Sequence, residues 1–220
     1  FKGACAVGLA GKDNYSHESF IKNCGIYPHL IPVAGFDPWV SSIEEEMTYL
    51  SQLDFKGIKI HPRFSSISLE KHAELLVRVF QIASEKKMVV FFCTYNNCTI
   101  RDYSGKDPLY LLISILKAAS KCKVILLHGG GIQLLQYAEL VRFNPNLLLD
   151  LSYTILKYQE SSIDLDIQYL FKTLDKRLCV GSDWPEYSFE RLRQRFEYFA
   201  EGISLEKQEN IGFRNITCFL

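Results

Sequence analysis

The sequence predicts an α/β protein of the (β/α)8, or TIM-barrel, type, and three features of the chain lead to this prediction. Short apolar runs rich in β-branched residues alternate with amphipathic stretches along the chain. From Gly57 onward the strand-like runs begin about 30 residues apart, which is the length of a repeated βα unit. Polar residues stand at the carboxyl end of one run after another, as they do around the rim of a closed barrel.

Seven runs have the character of strands and six stretches that of helices. The predicted strands span 4–10, 30–36, 57–61, 88–94, 123–128, 146–151 and 177–182. The predicted helices span 41–53, 69–86, 108–121, 132–143, 163–174 and 188–200, each with apolar residues at i, i+3 and i+4. The runs MVVFFC and KVILLH are apolar without alternation, which is typical of a parallel sheet covered on both faces. No linker interrupts this alternation, so residues 1–220 are expected to form one domain.

Two α/β architectures fit such an alternation, the closed barrel and the open doubly wound sheet. An open sheet concentrates ligand chemistry at one switch point. Here His61, Cys93 with Thr94, His128, Ser152 and Asp183 each stand at the carboxyl end of a different predicted strand, and they converge only if the sheet closes. Because a barrel has eight strands and seven are predicted, we expect a first strand upstream of the numbered chain.

The composition is that of an ordinary globular protein. Its 220 residues include 25 Lys and Arg against 25 Asp and Glu, which gives a formal net charge of +0. This charge provides no field that would attract nucleic acid or an acidic membrane, and no apolar run reaches the ~18 residues of a membrane span. We therefore expect a soluble protein whose partner is a small molecule.

The 7 cysteines follow no framework spacing, and several lie in apolar runs, where a thiol packs as a small hydrophobic group. This usage predicts free thiols and a cytoplasmic location. Cys93 and Cys98 form a C-x4-C pair, but without a second pair it is a weak metal motif.

Asp183 and His128 are the candidate catalytic residues. Asp183, in the turn GSDWP, follows an apolar strand, so its carboxylate is rigidly placed at the rim and suits general acid–base chemistry. The alternative is a structural role, either as the N-cap of the helix expected to begin near Glu186 or in an Asx-turn there. His128 precedes three glycines, which let the backbone approach whatever the imidazole contacts. Its alternative is a buried core histidine.

Lys59, His61 and Arg63 are candidate substrate-binding residues. Strand alternation places Lys59 and His61 on one face and two isoleucines on the other. A lysine that points into a barrel needs an anionic partner, either a carboxylate of the site or the substrate itself. A structural ion-pair layer is the alternative.

Five segments in this order resemble the amidohydrolase superfamily. The resemblance is strongest to the amidohydrolase-related branch that is similar to aminocarboxymuconate-semialdehyde decarboxylase and dicarboxylate lactonases. The segments are GIKIHP (57–62), MVVFFC (88–93), KVILLHGGG (123–131), NLLLDLS (146–152) and GSDWP (181–185). The resemblance implies a barrel that depends on a divalent metal ion, with zinc expected. It also implies that Asp183 touches a metal-bound water and that His128 meets the metal or the substrate.

The chain also departs from that family pattern. It has no His-x-His, which family members carry in their first strand, and it has Cys93, Thr94 and Tyr95 where many carry a metal-binding His. Either the His-x-His lies in the strand expected upstream, or this is a member with few metal ligands.

The expected function is that of a metal-dependent hydrolase or decarboxylase acting on a small anionic carboxylate, lactone or amide. Asp183 would exchange the proton of the attacking water, and His128 would polarise or orient the substrate. Tyr95, Tyr153 and Trp184 suit contact with the substrate or with a second copy in a homo-oligomer. The alternative is a non-catalytic, degenerate barrel that binds a small ligand.

Overall fold

The computed structural model describes residues 3–12, 14–95 and 105–220. In this part of the chain seven short strands form, each inside one of the predicted ranges, so all seven predicted strands are confirmed. The strands are β1 (Ala4–Val7), β2 (Leu30–Gly35), β3 (Gly57–Ile60), β4 (Val89–Cys93), β5 (Val124–Leu127), β6 (Leu147–Asp150) and β7 (Leu178–Cys179).

Helices follow the strands in alternation, and all six predicted helices are present. The α-helices are α1 (His17–Gly25), α2 (Ile43–Gln52), α3 (Ala73–Glu85), α4 (Pro108–Ala118), α5 (Leu134–Arg142), α6 (Thr154–Lys157), α7 (Ser162–Thr173), α8 (Phe189–Ala200), α9 (Leu205–Glu209) and α10 (Asn215–Phe219). A 3-10 turn spans Asp175–Arg177 and a π-helical turn spans Asn210–Arg214, while non-helical backbone angles at three glycines interrupt the segment His128–Gln133.

Side chains in the loops set where several helices begin. Ser42 accepts a hydrogen bond from Glu45 N at the start of α2, and Asp107 accepts one from Leu109 N at the start of α4. Helix α3 begins at Ala73 rather than at 69 as predicted. The reason is local, because the His72 ring accepts a hydrogen bond from Ser68 N at 3.1 Å and holds the preceding residues in a turn.

The residues group into two compact units. The first runs from the N-terminus to Cys93 and includes α4 and Val124, and the second holds Thr94, Tyr95 and Ile125–Phe219. In the first unit, β1 to β4 neighbour one another in chain order, and all three pairs are parallel. In the second unit, β6 pairs in parallel with β7, with Leu149 opposite Leu178.

Each unit has its own apolar core. Every residue of β4 and of β5 is buried, which confirms the prediction that both faces of these strands are covered. In the first unit Phe80 of α3 packs edge-on against Phe92 of β4 at 5.7 Å between ring centroids. In the second, Phe171 of α7 meets Phe199 of α8 at 5.4 Å. Burying a side chain of this size contributes roughly 1.5–3 kcal/mol to stability.

The cysteines in the described part of the chain are free thiols, as predicted. Cys98 lies outside the described residues, and with it the C-x4-C pair. Within the described ranges, no helix combines the length and the hydrophobicity of a transmembrane span.

Candidate functional site

A glycine turn follows β5 and begins with His128. The φ angles of Gly129, Gly130 and Gly131 are 56°, 74° and 62°, and His128 itself has φ 67°. Residues with a side chain rarely adopt this left-handed backbone. A Cβ atom on Gly130 would also lie 2.1 Å from the Tyr137 ring. The three glycines are therefore required by the turn.

Two buried threonines hold this turn in place. Thr94 donates from Oγ1 to the Leu127 carbonyl oxygen at 2.6 Å and accepts from Gly130 N at 2.8 Å. Thr154 donates from its Oγ1 to the His128 carbonyl oxygen at 2.6 Å. The strand end, the histidine and the glycines are thus fixed by one side chain from the loop after β4 and one from the start of α6.

The His128 ring is oriented by Ser152, at the carboxyl end of β6. Its Nδ1 lies 3.1 Å from the Ser152 carbonyl oxygen and 3.0 Å from the Ser152 Oγ. A carbonyl oxygen only accepts hydrogen bonds, so Nδ1 carries a proton and donates it. Nε2 is therefore the acceptor nitrogen of the neutral ring. His128 is buried, but its polar contacts and the glycine turn distinguish it from an apolar core residue.

Asp150 lies behind this pair as a buried carboxylate. Its Oδ2 accepts from Ser152 N at 3.1 Å and from His128 N at 3.4 Å, and it also accepts from the Ser152 hydroxyl. Burial raises the pKa of Asp150, while the hydrogen bonds from Ser152 and the positive charge that His128 can carry oppose the shift. Because the Ser152 hydroxyl donates to Asp150, this chain is an orienting network and not a serine nucleophile with its base.

A cluster of four tyrosines lies beside His128, and two of its rings face the imidazole. This tyrosine cluster consists of Tyr95, Tyr153, Tyr158 and Tyr187. The rings of Tyr95 and Tyr153 meet edge-on with centroids 5.0 Å apart, and they stand 6.4 Å and 5.9 Å from the His128 ring. Tyr187, from the loop after β7, packs 5.8 Å from Tyr153.

Lys157 adds a positive charge to the tyrosine cluster. Its Nζ donates to the Tyr153 hydroxyl at 2.7 Å and lies 4.9 Å from the centroid of that ring and 5.5 Å from that of Tyr95. Hydrogen bonds to Tyr153 and Tyr95 raise the pKa of Lys157 above its ordinary value, so the side chain carries a full charge at neutral pH.

Asp183 lies in the loop after β7, as predicted. The residue is half-buried with φ 57°, and its carbonyl oxygen accepts from Glu186 N at 3.0 Å. The capping alternative is wrong, because Ser188 caps α8 by accepting from Arg191 N at 3.3 Å. No hydrogen bond or ion pair within the described residues engages the Asp183 carboxylate. The neighbouring Trp184 is 69% exposed.

Lys59, His61 and Arg63 belong to the first unit. The burial of β3 alternates as predicted, with both isoleucines buried and Lys59 half-exposed. His61 Nε2 lies 3.6 Å from the Cys93 Sγ, and its buried Nδ1 has no hydrogen-bond partner among the described residues. Arg63 is exposed above the Phe64 ring at 5.2 Å.

The ion-pair layer proposed as an alternative for Lys59 and His61 does not form within the described residues. None of the carboxylates there pairs with the Lys59 ammonium or with the His61 ring. Lys59 was expected to have an anionic partner, either a carboxylate of the site or the substrate. Among the described residues no carboxylate takes this place, and the expectation of an anionic substrate stays a prediction.

The predicted metal ligands do not make a metal site. Across residues 3–12, 14–95 and 105–220, no group of three or more His, Cys, Asp or Glu side chains is placed to hold an ion. His128 and Asp183 supply two donors at most, and His128 already donates from Nδ1 to Ser152. A zinc ion in a catalytic site takes three protein ligands. The described residues therefore do not fit the expected zinc ion.

Several site residues escaped the sequence analysis. Lys157, Tyr158 and Tyr187 were not predicted as site residues. Asp150 was noted only as part of NLLLDLS (146–152), one of the segments that resemble the amidohydrolase superfamily. One local signal was available, because Tyr153 and Lys157 are four residues apart in SYTILKY and so share a helix face. No local pattern marks Asp150, because its role depends on the hydrogen bonds that Ser152 donates to it in the folded chain.

No protein-family model matches this chain. No curated protein matches it either. Solved structures do match. An uncharacterized TIM-barrel protein from Bordetella bronchiseptica aligns with a TM-score of 0.77 at 17% identity, over 99% of this chain and 77% of that one. A D-allulose 3-epimerase from Methylomonas sp. aligns with a TM-score of 0.50 at 12% identity, over 99% of this chain and 88% of that one. At these identities the likeness concerns the fold, and this chain has the α/β TIM-barrel fold.

Proposed function

We propose that this chain is an enzyme of the amidohydrolase type that hydrolyses or decarboxylates a small anionic carboxylate, lactone or amide. The observation that carries the proposal is the orientation of His128 by Ser152 and Asp150 at adjoining strand ends. Active sites of TIM barrels lie at the carboxyl ends of the strands. A buried polar network that fixes one imidazole nitrogen, next to tyrosines and a lysine, is suited to proton transfer at such a site.

Asp183 is assigned the role of general acid–base. Its half-buried carboxylate follows β7 and has no hydrogen-bond partner among the described side chains, so it is available to a water molecule. In hydrolysis, Asp183 takes a proton from the attacking water and returns it to the leaving group. In decarboxylation, it delivers the proton that replaces the lost carboxyl group.

His128 is assigned the role of orienting and polarising the substrate carbonyl. Its Nδ1 proton is held by the Ser152 carbonyl oxygen, so proton exchange takes place at Nε2. Once protonated there, the ring donates a hydrogen bond to the carbonyl oxygen as negative charge develops on it. When Asp150 is ionised, its charge favours that protonated ring, although burial raises the pKa of Asp150.

The preference for an anionic substrate rests on the cations at the strand ends. In the second unit Lys157 is exposed and charged, and no carboxylate within the described residues pairs with it. In the first unit Lys59 likewise lacks a carboxylate partner among the described residues, and Arg63 is exposed. In the second unit, which contains His128 and Asp183, a cation such as Lys157 that hydrogen-bonds to a tyrosine and that no described carboxylate neutralises favours a substrate with its own negative charge.

The test is a turnover screen with small lactones, carboxylic acids and amides, read by proton release and by carbon dioxide release. Each compound is tested with the protein as purified, with added zinc and with a chelator. Turnover should be found with an anionic compound, and Asp183→Asn should reduce it by about 100-fold or more. The matched control is Asp166→Asn, a half-buried aspartate on α7, which should leave turnover unchanged.

Two results would overturn the proposal. Full turnover in Asp183→Asn would remove the acid–base role of that residue. Tight binding of an anionic compound with no turnover of any in the panel would instead identify a non-catalytic barrel that binds a small ligand.

A further inference from the structure

The backbone makes a strained turn at Tyr153, directly after Ser152. Tyr153 has φ 63° and ψ −56°, and Thr154 N donates to the Ser152 carbonyl oxygen at 2.6 Å across it. These angles and this hydrogen bond define a γ-turn of the strained kind, which a residue with a side chain rarely adopts. Such strain clusters at active sites and ligand sites, where the surrounding structure holds it in place.

This γ-turn places two groups relative to His128. The Ser152 carbonyl oxygen, where the turn begins, lies 3.1 Å from Nδ1 of His128. The Tyr153 ring, at the centre of the turn, stands 5.9 Å from the His128 ring. The chain continues directly into α6, where Lys157 N donates to the Tyr153 carbonyl oxygen at 2.7 Å. One short segment of backbone therefore sets the positions of Tyr153 and Lys157 beside the imidazole.

The side chains of Lys157 and Tyr153 form a pair of hydrogen-bond donors. The Lys157 Nζ donates to the Tyr153 hydroxyl at 2.7 Å. An ammonium has three N–H groups, and a phenol that accepts a hydrogen bond keeps its own O–H, so both groups can donate further. No carboxylate within the described residues forms an ion pair with this ammonium. Lys157 is exposed and Tyr153 is half-buried, so a ligand can reach the pair from solvent.

The tyrosine cluster holds the ammonium in place. Nζ of Lys157 lies 4.9 Å from the ring centroid of Tyr153, 5.5 Å from that of Tyr95 and 6.0 Å from that of Tyr158. Aromatic rings attract a cation at these distances. A lysine that is already held loses less conformational entropy when it binds a ligand, and nearby rings strengthen its ionic contacts by displacing water. The pair is therefore preorganised for an anion.

We propose that Lys157 and Tyr153 bind a carboxylate of the substrate that the reaction leaves intact, with the ammonium and the phenolic O–H donating to its oxygens. The proposal deepens the proposed function and rests on it for the reacting carbonyl that His128 contacts. Because one γ-turn positions both the donor pair and His128, the expected substrate is a short compound whose carboxylate lies a few bonds from that carbonyl. Lys157 and Tyr153 then determine specificity, since they bind the carboxylate equally before and during the reaction.

The test is a binding titration at constant ionic strength, which needs no turnover. The probe is levulinate, a short carboxylate with a ketone group, and the uncharged comparison is 2-pentanone, in which a methyl group replaces the carboxylate. Binding is measured by NMR on the methyl signal of each compound. Wild-type protein should bind levulinate more tightly than 2-pentanone.

Four variants locate the binding to the donor pair. Lys157→Met should weaken levulinate binding about 10-fold or more and Tyr153→Phe about 5-fold, because each removes a donor to a charged group. Lys157→Arg keeps the charge and should retain most of the affinity. The control Lys172→Met changes an exposed lysine of α7 and should bind levulinate as the wild type does. None of these changes should affect the weak binding of 2-pentanone.

The outcomes separate this proposal from the proposed function. Equal affinity of Lys157→Met and Lys172→Met for levulinate would overturn the proposal, and so would wild-type protein that does not prefer levulinate to 2-pentanone. Levulinate binding that is lost in Lys157→Met, with no turnover of any compound in the screen, would support the donor pair and count against the proposed function alone. If Tyr153→Phe does not fold, the loss in Lys157→Met and its rescue in Lys157→Arg decide the question.

Kinetics provide a second measurement once a substrate is found. Lys157→Met should raise KM more than it lowers kcat, because it removes a contact that is the same in the ground state and in the transition state. A loss confined to kcat would overturn the assigned binding role of Lys157.

Discussion

The carbonyl oxygen of Ser152 lies 3.1 Å from Nδ1 of His128 and determines which nitrogen of that ring carries the proton. The contact comes from the main chain, so it survives any substitution of the Ser152 side chain. The Ser152 hydroxyl has a different task, because it donates to Asp150 and is 3.0 Å from the same Nδ1. The main chain of Ser152 therefore orients the imidazole of His128, and its side chain donates a hydrogen bond to the buried carboxylate of Asp150.

Ser152→Ala should lower the free energy of unfolding by about 1–3 kcal/mol, because the buried Asp150 carboxylate loses its hydroxyl donor. The measurement is urea denaturation of both proteins at neutral pH. Ser114→Ala on the exposed face of α4 is the control and should change stability by less than about 0.5 kcal/mol. Equal stability of Ser152→Ala and wild type would mean that the hydroxyl does not support Asp150.

Asp150→Asn should change how stability depends on pH. The pKa of Asp150 is raised above its ordinary value of 3.8 by burial, so the folded state holds this proton more tightly than the unfolded state. The stability from that proton is fully present below the unfolded pKa and is lost as pH rises through the folded pKa. The variant lacks this loss, so its stability relative to wild type should increase as pH rises from about 4.

The measurement for Asp150→Asn is urea denaturation of variant and wild type at a series of pH values. Only the difference between the two proteins is used, because it removes the titration of all other groups. Asp166→Asn on α7 is measured in the same way as the control for removing a half-buried aspartate elsewhere in the second unit. If the difference in free energy of unfolding between Asp150→Asn and wild type stays constant across the pH series, the raised pKa of Asp150 is contradicted.

Gly130→Ala should destabilise the protein by about 2–5 kcal/mol, or prevent folding. Two costs add here, since φ of 74° is strained for alanine and the new Cβ would lie 2.1 Å from the Tyr137 ring. Gly202→Ala separates them, because Gly202 has φ 75° with nothing within 4 Å of the Cβ position. It should cost about 1–2 kcal/mol. Thermal unfolding of both variants checks the prediction, which fails if they are equally stable.

Arg195→Met should cost about 3 kcal/mol, because it removes the partner of a nearly buried carboxylate. Arg195 is 8% exposed, pairs with Asp164 and donates from Nε to the Ile155 carbonyl oxygen at 2.9 Å. The matched control is Arg193→Met on the same helix, whose pair with Glu197 is exposed and contributes at most about 0.5 kcal/mol. Urea denaturation gives both values, and a small loss for Arg195→Met would show that water replaces its contacts.

Local patterns in the sequence were sufficient for the element order of this chain. Runs such as MVVFFC predict strands because an unbroken apolar run has to be covered on both faces, and this constraint does not depend on the rest of the fold. The strand ends were predicted less well. The last predicted strand spans 177–182, but β7 contains only Leu178 and Cys179, because the chain leaves the sheet at Val180 and forms a turn in which Glu186 N donates to the Asp183 carbonyl oxygen.

The sequence by itself determined the fold class and the positions of His128 and Asp183 after two different strands, because both follow from periodicity and from chain order. Only the tertiary structure decided the chemistry around them. Tyr95, Tyr158 and Tyr187 come from loops that follow three different strands, and they meet because folding brings those loops together. The protonated nitrogen of His128 depends on a main-chain oxygen 24 residues away in the chain. Periodicity reports which face of an element is apolar, whereas a hydrogen bond between loops depends on distances that no local pattern contains.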